Sequence, residues 1–137
     1  MSARTKARKR AIDALFSADL RGTSADEMIS TAFEHSEDPA AQAASFDYAK
    51  QIVAGVTQHQ AEIDETLETY AHGWSIGRMP NLDRAILRAA VWEILFNDDV
   101  PDAVAVDEAV ELAKEFSTED SSGFINGLLN KISATRA

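Results

Sequence analysis

The sequence predicts an all-α protein. Only 6 glycines and 3 prolines occur among the 137 residues, so few positions interrupt regular structure. The apolar residues recur three and four positions apart instead of alternating, which is the pattern of helices that bury one face. A chain of this length buries roughly two thirds of its unfolded surface. We therefore expect either one domain or two small subdomains that share a core.

The first two predicted helices occupy the N-terminal part of the chain. The first runs from about Arg4 to Leu20, with an apolar face formed by Ile12, Leu15, Phe16 and Leu20. Gly22 is expected to end this helix. Ser24 can cap a short second helix, whose apolar residues are Met28, Ile29 and Phe33. Residues 34–45 are polar and rich in alanine, and we predict a loop or a loosely formed turn there.

A long third helix is predicted from the most regular apolar pattern in the chain. The spacings of this seam alternate between four and three, with Gln60 as an interruption: Ala49, Val53, Val56, Gln60, Ile63, Leu67 and Tyr70. Gly55 is expected to let a neighbouring helix approach closely, and His72-Gly73 to end the helix. The segment 73–81 (GWSIGRMPN) is the best internal boundary. We therefore predict an N-terminal subdomain over 1–72 and a C-terminal subdomain over 73–137.

Three more helices are predicted in the C-terminal part. The fourth, about Leu82 to Phe96, is apolar on almost all sides, as expected of a helix in the centre of a bundle. A turn at 97–101 precedes the fifth helix, whose inward residues should be Val106, Ala109, Val110, Ala113 and Phe116. We predict a polar loop over 117–122 and a last helix from Phe124 to Ile132.

Composition and spacing argue against several classes of function. The absence of cysteine excludes disulfides, thiol catalysis and thiolate metal sites. His59 and Glu62 have the spacing of metal ligands on one helix face, but no third ligand recurs nearby. No apolar run approaches the ~18 residues of a membrane span. No secretory signal is expected, since Asp13 and Asp19 interrupt the segment after the basic residues. We predict neither an enzyme nor a bound cofactor or metal.

The first ten residues carry a charge opposite to the rest of the chain. They read MSARTKARKR, with five bases and no acid, whereas the whole chain has 13 Lys and Arg against 23 Asp and Glu. Such a cluster suits phosphate, because several cations on one segment release several counterions together. A disordered, solubilising tail is the alternative. In a helix, residues 4 and 8 and residues 6 and 10 would lie four apart and could line its exposed side.

The ordered set of C-terminal segments resembles a known family. Residues 82–95 read LDRAILRAAVWEIL, residues 100–116 read VPDAVAVDEAVELAKEF, and residues 119–129 read EDSSGFINGLL. The N-terminal half agrees, with a basic arm leading into AIDALF, then FDYAKQIVAGV and the pair Ile63-Asp64. In this order and spacing the chain closely resembles the NusB family of bacterial transcription antitermination factors, over essentially its whole length.

The resemblance implies a fold and a function. The fold would be two small helical bundles, of about six or seven helices in all, packed as one compact NusB-like domain. The function would be to bind the boxA segment of ribosomal RNA operon transcripts together with the ribosomal protein NusE. This complex would join other Nus factors and RNA polymerase in the cytoplasm. Members of the family are monomers or homodimers, and the sequence does not decide between the two.

The resemblance also implies which residues form the binding sites. The RNA-binding arm would be Arg4, Lys6, Arg8, Lys9 and Arg10, although Thr5 stands where a base is common. Phe16 would contact RNA from the first helix, and Asp120 and Phe124 would contact it from the last. Asp83 and Arg84 match the positions that meet the ribosomal protein.

Three of these residues also have a structural interpretation. Phe16 and Phe124 could be core residues, and Asp120 could be a cap or turn residue before the last helix. A carboxylate in an RNA site makes chemical sense, since it accepts a hydrogen bond from the amino group of a base.

Two other functions remain open at this point. One is a protein-interaction scaffold whose basic tail binds an acidic protein, or its own acidic body, with no specific RNA binding. The weaker alternative is a hydrolase that uses surface carboxylates, for which no convergent motif is present.

Overall fold

The computed structural model describes residues 2–136, and this part of the chain is all-α, as predicted. It contains seven α-helices, one short 3-10 helix and no strand. The α-helices are α1 (Ala3–Arg21), α2 (Ala25–Glu34), α3 (Pro39–Gln58), α4 (Gln60–Tyr70), α5 (Asn81–Phe96), α6 (Asp102–Phe116) and α7 (Glu119–Arg136), and the 3-10 helix is Ile76–Arg78.

The first two helices end and begin at the residues that the sequence predicted. Gly22 adopts φ +66° and ends α1, as its lack of a side chain allows. The Ser24 hydroxyl accepts a hydrogen bond from the amide of Glu27 and caps α2. The loop predicted over 34–45 is wrong from Asp38 onward, because α3 begins at Pro39. The Asp38 carboxylate accepts from the amide of Ala41, and an aspartate followed by a proline is a strong start for a helix.

The long third helix of the prediction is two helices that meet at His59. The His59 backbone (φ −112°, ψ 19°) departs from helical values, and its ring stacks on Phe96 with 3.9 Å between centroids. The apolar seam is nevertheless buried on both sides of this corner, at Ala49, Val53, Val56, Ile63 and Leu67. The corner turns α4 so that it packs against α5 and α7.

The central position of α5 is confirmed. Residues 85–94 are buried without exception, and α5 packs against α1, α3, α4, α6 and α7. The predicted close approach at Gly55 is also confirmed, because a Cβ built there would lie 1.9 Å from Nε1 of Trp92. Since α5 contacts helices from both halves, one core runs through the described residues, and the division at residue 72 stays a prediction.

Several boundaries and faces differ from the prediction. Leu20 and Phe116, expected to point inward, are 57% and 42% exposed, because each lies in the last turn of its helix. The last helix begins at Glu119, five residues before Phe124, because the Thr118 hydroxyl accepts from the amide of Ser121 and caps it. None of the helices within residues 2–136 combines the length and the hydropathy that crossing a bilayer requires.

Candidate nucleic-acid interface

The basic segment forms the first two turns of α1. The Ser2 hydroxyl caps the helix by accepting from the amide of Thr5. Arg4 and Lys6 are exposed, Lys9 and Arg10 are half-buried, and Arg8 is 4% exposed. The segment is therefore an ordered part of α1 and not a separate tail.

Arg8 is buried in an ion pair, so the prediction that residues 4, 6, 8 and 10 line the exposed side of α1 is wrong for this residue. Its Nε and Nη2 donate to the two carboxylate oxygens of Glu93 at 2.8 and 2.9 Å. Its Nη1 donates to Glu108 at 3.1 Å, and Tyr48 donates its hydroxyl to Glu93 at 2.5 Å. The reason is the helical period, since Arg8 lies four residues before Ile12 on the apolar face of α1.

The pKa values of Arg8 and Tyr48 are both raised. Burial alone would lower the pKa of the Arg8 guanidinium, but the hydrogen bonds and charge of Glu93 outweigh it and raise that pKa. Burial and the adjacent Glu93 raise the pKa of the Tyr48 hydroxyl to about 12. At neutral pH Arg8 is therefore charged and Tyr48 is a neutral donor. One part of the scaffold alternative is thus observed, because one base of the arm binds the protein's own acidic body.

Three of the remaining four bases rest on aromatic rings. Cζ of Arg4 lies 3.8 Å from the ring centre of Tyr48. Cζ of Arg10 lies 4.4 Å from the ring centre of Phe46. Nζ of Lys9 lies 4.7 Å from the ring centre of Phe116. Arg10 also donates to Ser45 at 2.7 Å and to Gln42. Within residues 2–136, none of Arg4, Lys6, Lys9 and Arg10 forms an ion pair with a carboxylate shorter than 4.0 Å. Their charges are oriented yet not neutralised by a direct partner.

Phe16 combines the two roles considered for it. It is half-buried and packs against the core. It also lines a groove of about 200 Å³ together with Lys9, Leu82 and Phe116. Part of its ring therefore faces a cavity that begins at the basic end of α1.

Asp120 and Phe124 lie in a second cavity of about 200 Å³, at the start of α7. The ring of Phe124 is half-buried and lies 6.0 Å, centre to centre, from that of Trp74. Asp120 is exposed within the first turn. The cap of α7 is Thr118, so Asp120 is not the capping residue, and its carboxylate accepts no hydrogen bond from the described side chains.

Asp83 and Arg84 are held within the protein. Asp83 is 3% exposed, and its carboxylate accepts from Ser117 at 2.8 Å and from Ser121 at 2.7 Å. Arg84 donates to Asp19 at 3.0 Å and to the carbonyl of Ile76 at 3.0 Å. Asp83 therefore fixes the α6–α7 connection to the start of α5, and it does not present the surface carboxylate that a partner contact would use.

Consecutive residues of the chain line the two cavities. Leu82 lines the groove of Phe16, and the next residue, Asp83, lines the cavity of Phe124. Likewise, Phe116 lines the first cavity while Ser117 binds Asp83 beside the second. We group the free bases of α1 with the exposed lining of these two cavities as the basic-aromatic strip: Arg4, Lys6, Lys9, Arg10, Phe16, Phe116, Trp74, Asp120 and Phe124. The strip combines cations with aromatic rings, and the carboxylates of Asp13 in the first cavity and of Asp83 and Asp120 in the second also line it.

Sequence reasoning missed two members of the strip, Phe116 and Trp74, and it also missed Tyr48, the buried ring on which Arg4 rests. The signal for Trp74 was a large aromatic residue inside a segment rich in glycine, where no helix could bury it. A lone Glu93 within the apolar α5 could have indicated a buried cationic partner. Nδ1 of His59 and Oε2 of Glu62 lie 3.9 Å apart. Within the described residues, no cluster of three acidic or histidine side chains could hold a metal ion.

The sequence profile of the NusB family matches residues 5–134. The chain belongs to the NusB family. The transcription antitermination protein NusB of Leifsonia xyli is 57% identical over 136 residues, which are 99% of this chain and 94% of that protein. Members of the family are transcription antitermination factors and not enzymes.

Solved NusB structures share the fold. NusB of Thermotoga maritima superposes with a TM-score of 0.86 at 30% identity, over 98% of this chain and 92% of that chain. A chain from a complex described as antitermination factors NusB and NusE with double-stranded RNA superposes with a TM-score of 0.85 at 28% identity. That match covers 98% of both chains.

Proposed function

We propose that this NusB-family chain is an RNA-binding factor that uses the basic-aromatic strip to bind boxA-type RNA of ribosomal RNA operon transcripts. It acts with the ribosomal protein NusE, other Nus factors and RNA polymerase in the cytoplasm. The observation that carries the proposal is a set of four cations without carboxylate partners, next to half-exposed aromatic rings, on a chain of net charge −10. A structural neighbour that is a complex of NusB and NusE with double-stranded RNA supports RNA and NusE as partners.

The bases of the strip supply affinity. Arg4, Lys6, Lys9 and Arg10 meet phosphates, and the acidic remainder of the surface repels RNA elsewhere and so orients its approach. Arg8 is left out of these contacts, because its guanidinium is already bound to Glu93 and Glu108. It acts instead as a positioning residue that holds the first turns of α1 against α5.

The aromatic rings of the strip supply selectivity. Single-stranded RNA is recognised by stacking of its unstacked bases on aromatic rings and by hydrogen bonds to base edges. Phe16 and Phe124 offer partly exposed rings for stacking. Asp120 has a free carboxylate that accepts from an amino group and repels phosphate.

NusE docks at the beginning of α5 in this proposal. Arg84 lies at the edge of this region and is tied to Asp19. Asp83 contributes indirectly, by fixing the α6–α7 connection through Ser117 and Ser121. A partner bound here would contact the protein beside the strip, so we expect NusE and RNA each to strengthen the binding of the other.

The test is a fluorescence-anisotropy titration of a boxA-type RNA and a scrambled RNA, with and without NusE, at two salt concentrations. Four phosphate contacts predict a salt slope of about −0.7 × 4, near −3, and therefore about 50-fold weaker binding at ~200 mM than at ~50 mM salt. We expect tighter binding to the boxA-type RNA and a further gain with NusE. Equal binding to both RNAs would contradict specific recognition.

A scaffold without RNA binding is the second candidate, favoured by the contact of Arg8 with the protein's own acidic residues. It predicts no binding to either RNA, with or without NusE, together with a salt-sensitive protein contact. The same titration therefore separates the two functions.

A further inference from the structure

The ring of Tyr48 lies beneath the first turn of α1. Tyr48 belongs to α3 and is 5% exposed. Cζ of Arg4 lies over this ring, 3.8 Å from its centre, and Cζ of Arg8 lies 5.9 Å from the same centre. Both distances are within the range of a cation–π attraction. One buried ring therefore contacts an exposed base of the arm and the base that anchors the arm.

Hydrogen bonds at its hydroxyl hold the Tyr48 ring in place. The hydroxyl donates to Glu93 at 2.5 Å and accepts from the side-chain amide of Asn97 at 3.0 Å. Donation to a carboxylate polarises the hydroxyl and makes the ring richer in electrons, which strengthens its attraction for a cation. The ring is therefore a fixed platform for a guanidinium group.

The N–H groups of Arg4 remain available to a ligand. Within the described part of the chain they have neither a hydrogen-bond acceptor nor a carboxylate within 4.0 Å. A guanidinium that lies on a ring uses its face, and its donors lie in its plane, where they can bind two oxygens of one phosphate. Arg10 also lies over a ring, but it donates to Ser45 and Gln42.

The contact with the ring lowers the entropy that Arg4 loses when it binds a ligand. Arg4 is exposed and is the second residue of α1, where the helix dipole does not attract a cation. An exposed arginine samples many rotamers, and ordering it at an interface opposes binding. Because the Tyr48 ring orders the guanidinium beforehand, a phosphate that binds Arg4 meets a side chain that is already in place.

We propose that Tyr48 is a positioning residue for RNA binding, whose ring holds the guanidinium of Arg4 with its donors free for one phosphate group. The inference rests on the proposed RNA-binding function and adds a buried residue of α3 as a determinant of affinity. Tyr48 acts through Arg4 and does not touch the RNA. It also extends the role of Glu93, which orients Arg8 directly and Arg4 through the Tyr48 hydroxyl.

The test changes the electron density of the ring and keeps its shape. The full chain is made with Tyr48→Phe, and with phenylalanine carrying one, two or three ring fluorines at the same position. Fluorine weakens the attraction of a ring face for a cation. Anisotropy measures the binding of boxA-type RNA. We expect Tyr48→Phe to bind nearly as tightly as the parent protein, and affinity to fall with each fluorine, by about 2- to 12-fold in all, the loss expected for disordering one long side chain.

The same series in two other backgrounds is the control. In Arg4→Ala the fluorines should have no effect, because the cation over the ring is absent. In Lys6→Ala the full decline should remain, since Lys6 is exposed and lies over none of the described rings. A purely structural role of the ring predicts the same decline in every background. The fluorinated proteins should also keep the parent's salt slope, whereas Arg4→Ala makes it shallower by about 0.7.

The outcomes separate this inference from the proposed function. Equal declines in the Arg4→Ala and Lys6→Ala backgrounds overturn the positioning role, and so does an affinity that is independent of fluorine content. Both results leave RNA binding by the strip intact. No binding of boxA-type RNA by the parent protein overturns the proposed function and this inference with it.

A second variant removes the ring entirely. Tyr48→Leu should weaken RNA binding in the parent protein and in Lys6→Ala, and leave it unchanged in Arg4→Ala. Thermal unfolding of every variant is measured in parallel, so that binding is compared among folded proteins. If Tyr48→Leu does not fold, the fluorine series decides the question, because it keeps the size of the ring.

Discussion

Arg8 and Glu93 form a buried, two-pronged ion pair across 85 residues of sequence, with N–O distances of 2.8 and 2.9 Å. The pair joins the basic end of α1 to the central helix α5. Of the five bases in the arm, it therefore assigns one to holding the arm in place and leaves four for a ligand.

Replacing Arg8 should destabilise the fold. Arg8→Ala leaves Glu93 buried with only the Tyr48 hydroxyl as a donor, and breaking a buried ion pair costs about 3–5 kcal/mol. Urea unfolding measures this loss. Lys6→Ala is the control, because an exposed residue changes the free energy of unfolding by no more than about 0.5 kcal/mol. Equal stability of the two variants would show that the buried pair does not anchor the arm.

Replacing Lys6 should change the salt dependence of RNA binding instead of stability. Loss of one phosphate contact makes the slope of log affinity against log salt shallower by about 0.7. Arg21→Ala is the matched control, because Arg21 is an exposed base at the opposite end of the same helix. Titrations at several salt concentrations measure the slopes. The assignment of Lys6 fails if both variants keep the slope of the parent protein.

The raised pKa of Tyr48 predicts a loss of stability in alkali. The folded state holds the hydroxyl proton more tightly than the unfolded chain, with a pKa of about 12 against an ordinary value of about 10. This contribution is complete below about pH 10 and is lost as the pH rises from there through about 12. The free energy of unfolding should therefore fall across this window, as urea unfolding at a series of pH values would record.

Tyr48→Phe is the control for this pH dependence. It removes the titrating hydroxyl, so its stability at neutral pH should be lower because Glu93 loses a hydrogen bond. Its free energy of unfolding should then fall less steeply than that of the parent protein above about pH 10. An identical decline in both proteins would assign the effect to other groups.

The contact between Gly55 and Trp92 predicts opposite effects for two glycine substitutions. In Gly55→Ala the new methyl would meet the indole at 1.9 Å, and such overpacking costs about 1–3 kcal/mol. In Gly127→Ala nothing lies within 4 Å, and alanine inside a helix is favoured over glycine by about 0.5–1 kcal/mol. Thermal unfolding of both variants checks the signs, and a neutral Gly55→Ala would refute the tight contact.

The spacing of apolar residues and the residues that end or cap helices were sufficient to predict most of the helices. Gly22 and Ser24 ended one helix and started the next, and the apolar run of α5 indicated its central position. The corner at His59 was not predictable from spacing, because the apolar seam continues across it and the stacking partner, Phe96, is distant in sequence. The start of α3 was not predicted, because residues 34–45 are polar and rich in alanine and so have the composition of a loop. The helix-start signal within them is the capping residue Asp38 followed by Pro39.

The candidate site was predictable in type but not in detail. Charge segregation indicated a phosphate-binding end of α1, yet which bases are free depends on partners elsewhere in the chain. Arg8 is not free to bind RNA because it pairs with Glu93. Asp83 is not free to bind a partner because it accepts hydrogen bonds from Ser117 and Ser121. Such pairings are contacts over long sequence separations, and neither composition nor local spacing reports them. The sequence also did not predict that Trp74 lies beside Phe124, because this contact joins residues 50 positions apart.

The long separation between Arg8 and Glu93 has a consequence for synthesis of the chain. At translation rates of about 5–20 residues per second, extending the chain by the 85 positions from Arg8 to Glu93 takes roughly 4 to 17 seconds. During that interval Arg8 is already part of the nascent chain while its carboxylate partner has yet to be added. The nascent arm then carries five uncommitted positive charges beside ribosomal RNA, and it reaches its final state of four only when α5 emerges and folds onto α1.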